Sequence, residues 1–329
     1  MGSKIGWILS AVLVLGLIGF VLYMVMVPSP SDPTIATGGE DFVKVHAVRV
    51  SPAVFLGAEP SAPGNAADDY RQAVAVFRSL DSELRRTYGR LNDISGARYA
   101  PPPDILEALD KILTFTAAGA AKKDLEYYSP DKLVVKGHCQ PAVDLTDVST
   151  ALEILVAWHY GAKRYDQEEK ALRTIFIMGW QMANEHTRAG MILEGLTMQE
   201  RVVNNLDELY QDWEPNKHEA VLKGVREYGA SLAVVKHFQD TKWQAIWKDR
   251  PEPGDLYRII RLDQDRAWRV EALLALGAVR FTHEQFKGDM RVTLELLNQY
   301  SQDPDPYLRA AARCALALTE EGFNRVIGS

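Results

Sequence analysis

Cysteine is almost missing from this chain: 329 residues contain two, Cys139 and Cys314. They form no CxxC, no CxxCH and no zinc spacing with the histidines, so covalent haem attachment and a zinc ribbon have no ligand set to build on. Two unpaired, buried thiols are the favoured reading. One long-range disulfide remains the alternative if the body lies in an oxidising compartment.

Basic clusters are equally scarce. Acidic residues outnumber basic ones, 44 to 37, for a formal charge of -7. Arg85-Arg86, Lys122-Lys123 and Lys163-Arg164 are short and flanked by acids. No stripe fit for a phosphate backbone results, and no nucleic-acid partner is expected. The linear signatures of catalysis are also lacking. There is no GxGxxG, no Walker A loop, no GxSxG and no HExxH. His283-Glu284 lacks its second histidine, and no histidine follows a glutamate by three residues, as a helical di-iron site requires. The sequence therefore names no catalytic residue, no metal ligand and no cofactor.

What the chain does have begins at its start. Ile5–Val27 is a run of 23 residues without a charge. A helix of that length, at roughly 1.5 Å per residue, crosses a bilayer with a little tilt. The run is longer than a signal-peptide core and no small-x-small cleavage site follows it, which predicts an uncleaved single-pass anchor. Lys4 precedes it, whereas Asp32, Glu40 and Asp41 follow. The positive-inside rule then puts residues 1–4 in the cytoplasm and the body outside it, facing a periplasm or its equivalent. Residues 28–65 read as a Pro/Gly/Ser-rich linker, with a short extended arm over 41–56 where Val43, Val45 and Ala47 alternate.

The body, 66–250, has the three-to-four-residue apolar spacing of helices, as in Val74, Phe77, Leu80, Leu84, Tyr88 and Leu91. Pro101-Pro102-Pro103 introduces a second helix, because a first-turn proline loses no intrahelical hydrogen bond. Asp147 is placed to cap a third, and Asp166 with Glu169 has capping-box spacing for a fourth. A break is expected near Gly190 or Gly195, a stop at Trp213-Glu214-Pro215, and the next helix reaches Trp243 and Trp247. Pro251-Glu252-Pro253-Gly254 marks the cut before a final region, 251–329.

That final region holds the best internal match. Asp265, Arg269, Ala272 and Leu276 recur as Asp305, Arg309, Ala312 and Leu316, an offset of 40 residues. The helix between the two copies is expected to start at Thr282, with Gln285 at a capping-box position. Small residues let such helices stack closely, and the spacing resembles the HEAT-like helical repeats over roughly 255–329. The resemblance implies an all-α, solenoid-like array that uses its surface for protein contacts.

Three kinds of candidate site follow, each with a plainer alternative. Trp268, Arg269 and Arg309 have the residue types of interface hot spots, although a repeat helix could equally pack the tryptophan inward. His186, beside Glu185 and Glu194, could line a cleft. His237 with Trp243 and Trp247 could wall an aromatic pocket for a small ligand, or the tryptophans could be core wedges. His138-Cys139 could form a thiol–imidazole pair in a loop, an arrangement that is more often accidental.

The expectation from sequence is a membrane-anchored helical scaffold or accessory subunit that docks another protein. Two others compete with it. One is an envelope-facing hydrolase whose site is assembled from separate helices, which a deep polar pocket of converging acids would favour. The other is a ligand-binding module built on residues 243–268.

Overall fold

Apolar side chains spaced at three and four residues over long stretches can be buried only by helices laid against one another. The computed structural model is accordingly mostly helical. It describes residues 53, 59–93, 100–130, 134–135, 138–139, 144–185, 187–247, 253–279 and 289–327. The apolar run 5–27, all of the 41–56 arm except Ala53, His186 and the helix start assigned to Thr282 lie outside the described residues. Among the described residues no helix is long and apolar enough to cross a membrane.

In chain order the elements are β1 (Ala62–Asn65), α1 (Ala67–Asp93), α2 (Pro103–Ala120), β2 (Lys122–Asp124), β3 (Val134–Val135) and β4 (His138–Cys139). There follow α3 (Asp144–Gly161), α4 (Tyr165–Ala183), α5 (Ala189–Asp212) and α6 (Pro215–Trp247). The last four are α7 (Pro253–Leu262), α8 (Arg266–Ala278), α9 (Asp289–Tyr300) and α10 (Pro306–Ile327). The strands are minor: β1 pairs in parallel with β2, and β3 with β4 in antiparallel fashion. Residues 62–65, which composition assigns to the linker, thus form a paired strand, and His138-Cys139 lies in a two-residue strand rather than a loop.

Successive helices pack on their sequence neighbours, α4 against α5 most extensively, then α1 on α2 and α5 on α6, while α8 packs on α10, the next helix but one. One connected set of buried apolar side chains runs from Ala66 and Tyr70 through Phe176 and Leu206 to Trp268 and Ala315. It includes helices on both sides of Pro251-Glu252.

Several local expectations are corrected. The third helix begins at Asp144, so Asp147 lies inside it and is no cap. The fourth starts after Arg164 with no side-chain cap, and Glu169 instead receives hydrogen bonds from Arg173 and Tyr210. The break expected near Gly190 or Gly195 falls before α5, whose second residue is Gly190, and Gly195 sits mid-helix in α5. The glycine does a different job there. A Cβ on Gly195 would stand 2.6 Å from the backbone nitrogen of Ala183, and one on Gly179 would stand 2.8 Å from the Gly195 carbonyl oxygen. Only a hydrogen at both positions lets α4 and α5 come this close. Gln199 spans the crossing, its Nε2 donating to the carbonyls of Gly179 and Gly195 at 3.1 Å each. Tyr228 of α6 in turn donates to Gln199.

The region with the 40-residue match folds with the same end-cap in both copies. Asp265 accepts from the Ala267 N–H at 2.9 Å, and Asp305 accepts from the N–H groups of Tyr307 and Leu308. Two residues earlier, Asp263 accepts from the Asp265 N–H and Asp303 from that of Asp305, both at 2.9 Å. Arg269 donates to the Ile260 carbonyl at 3.0 Å, and Arg309 to the Asp303 carbonyl at 2.6 Å. Each arginine thereby fastens the turn that precedes its own helix. A Cβ on Gly277 would lie 2.5 Å from the Ala315 Cα, which is how closely α8 and α10 stack.

Candidate functional site

Trp268 is fully buried, with the Lys242 ammonium 4.7 Å above its ring. It offers no surface to a partner, and the inward-packing alternative holds. Burial of the hydrocarbon stem of Lys242 comes with an ion pair to Asp263 at 2.6 Å. Desolvation lowers the lysine's affinity for its proton, and Asp263 opposes that shift. Arg269 and Arg309 are half-buried and serve the turns described above.

His237 is exposed, and Trp247 is 41% exposed beside the half-buried Trp243, with ring centroids 5.9 Å apart. His186 lies outside the described residues, but its neighbours are engaged in structure. Glu185 accepts from the Tyr127 N–H at 3.2 Å, while Glu194 accepts from Thr146 at 3.3 Å, so the two acids serve different elements. Burial raises the proton affinity of Glu185, opposed by the Thr187 hydroxyl and the N–H groups of Tyr127 and Tyr128. Arg188 reaches across to Glu271 of α8 at 3.1 Å, a pair almost fully removed from water.

The converging polar groups lie elsewhere, in a cleft of about 410 Å³ between α3, α4 and α5. Ile154, Val156, Ala157 and Leu209 give it apolar walls. Glu153 and Tyr160 enter from α3, Glu168 from α4, and Arg201, Asn204, Asn205 and Glu208 from α5. The spacing explains the convergence: on a helix, positions three and four apart share a face, as Arg201, Asn204, Asn205 and Glu208 do.

These side chains differ in how well they are paired. Glu153 takes a hydrogen bond from Arg201 at 2.8 Å. Tyr160 donates to Asp212, beside the cleft, at 3.0 Å. Glu168 is only 4% exposed, and its Oε2 has no hydrogen-bond partner among the described residues. The Nε of Arg201 is likewise buried without an acceptor. Burial, and secondarily the negative charge of Asp212, pushes the Glu168 carboxyl up to about 7. It is therefore a carboxyl group that changes charge near neutral pH, inside a cleft of small-molecule size.

None of these cleft residues is singled out by a linear motif. Glu168 sits among the charged residues at the start of α4, and its buried position is readable only once the fold is known. Among the described residues no cluster of three or more metal-ligating side chains occurs. The fold and the cleft define a mostly helical protein with an acid-rich cleft beside the α4–α5 helix pair. Comparison with protein-family models, curated proteins and solved structures finds no match to this chain.

Proposed function

We propose that this chain is a membrane-tethered, HEAT-like helical scaffold or accessory subunit that holds another protein of a membrane or envelope complex. The tether is the apolar run 5–27, with the body outside the cytoplasm. The observation that carries the reading is the duplicated cap at 263/265/269 and 303/305/309, a recurrence expected of repeat helices. Between the copies Arg266 lies over the Tyr307 ring at 4.3 Å and reaches Asp305 at 3.7 Å. Stacking of this kind presents a rigid surface, and rigid surfaces lose little entropy on docking. Leu262, at the end of α7 and next to α8 in sequence, is 65% exposed.

The test is recovery of the mildly solubilised full-length protein with whatever remains bound. A stoichiometric partner that Leu262→Glu weakens supports the proposal. A chain that comes down alone and monodisperse overturns it.

A further inference from the structure

The cleft between α3, α4 and α5 is not explained by a scaffold. Its walls are half hydrocarbon, from Ile154, Val156, Ala157 and Leu209, and its polar side is dominated by acids. Glu153, Glu168 and Glu208 face a single cation, Arg201, which is already committed to Glu153. Asp212, held by Tyr160, adds a further negative charge beside Glu168. A buried carboxyl with an unpartnered oxygen is costly, and such a group is retained most readily where something comes to meet it.

We propose that this cleft is a binding site for a small organic ammonium ion, whose charge pairs with Glu168 while its carbon skeleton lies along Ile154, Val156 and Leu209. The ligand class follows from charge balance. A carboxylate or phosphate would enter a site with excess acid, and a neutral compound would leave the Glu168 carboxyl without a counter-charge. An ammonium ion supplies hydrogens to the free Oε2 and turns the cleft's net charge from a penalty into an attraction. The orphaned Nε of Arg201 can in addition receive one oxygen, so an amine that also bears a hydroxyl fits the polar wall.

Proton linkage gives the site a signature. The groups facing Glu168 are Glu153 and Tyr160 from α3 and Arg201, Glu208 and Asp212 from α5. Arg201 and Glu153 form a fixed pair, so the group that titrates on binding near neutrality is Glu168. Pairing with an ammonium ion favours its carboxylate. Binding below pH 7 must therefore release a proton, and affinity must rise as pH climbs from 6 to 8.

Isothermal titration of the full-length protein in mild detergent tests this with 1,4-diaminobutane, spermidine and glucosamine as probes. Their uncharged counterparts, 1,4-butanediol and glucose, serve as controls. At least one amine is expected to bind, with proton release at pH 6 revealed by buffers of different ionisation enthalpy. Glu168→Gln should weaken it at least about tenfold and abolish the proton release. Glu208→Gln, at the exposed rim, should weaken it by only about threefold. Thermal melting of both variants verifies that they are folded. The proposal is overturned if none of the three amines binds, if the uncharged compounds bind as tightly, or if Glu168→Gln leaves affinity and proton release unchanged.

Discussion

Gly195 and Glu168 are constrained by their surroundings in opposite ways. Gly195 has no room: Gly195→Ala must push α4 and α5 apart and strain the Gln199 bridge. The expected loss is about 1–3 kcal/mol, read by denaturant unfolding of the purified protein. Glu168 has no partner for one oxygen among the described residues, and burial raises its carboxyl from the ordinary 4.5 to about 7. The sign of its pH effect follows. Between those values the folded chain holds a proton that the unfolded chain has released, so this group's contribution is full below about 4.5 and lost as pH rises through about 7. Glu168→Gln removes that dependence. The variant should melt higher than the parent at pH 8, with the difference vanishing towards pH 4.5, as a pH series of thermal scans would reveal. A cleft carboxyl that costs stability where it is ionised is what a binding group, rather than a packing group, is expected to do.

At the scale of elements, the turn between α4 and α5 is pinned to α8 by Arg188 and Glu271, 7% and 1% exposed. Removing one member leaves the other charged and buried, so Glu271→Ala should cost about 3–5 kcal/mol. Replacing both, as Arg188→Met with Glu271→Leu, should recover most of that loss. A double-mutant cycle on unfolding free energies decides whether the coupling is real. The helices themselves were readable from apolar spacing, and the proline entry to α2 and the stop at Trp213 followed from simple capping rules. The caps at Asp147 and Asp166 were misread for one reason. Ser, Asp and Glu at the right spacing are frequent on exposed helix faces, and only the backbone path distinguishes a cap from a first-turn acid. Of the two glycines near which a break is expected, Gly190 stands at the start of α5 and Gly195 inside it; sequence does not separate them, because a glycine that frees the backbone and one that makes room for a neighbour look identical there.

For the whole molecule, the proposal of a tether makes a separate prediction. Deleting residues 1–27 should move the protein from the membrane fraction to the soluble fraction while its helical circular dichroism is kept. Aggregation of the shortened chain would point instead to a large apolar face normally covered by a partner.

The sequence by itself determined the helical class, the linear order of helices and the 40-residue recurrence in the last region. These depend on local periodicity, which a chain carries in its own spacing. Tertiary structure decided where the polar groups meet. Trp268 has the composition of a hot spot, yet the packing of α8 on its neighbours places it in the core over Lys242. Glu153, Glu168 and Glu208 lie on three different helices, and their convergence comes from the packing of α3, α4 and α5 rather than from any spacing. Charge balance inside a cleft is a property of distances between helices. No single helix encodes those distances, which is why this site becomes visible only in the folded chain.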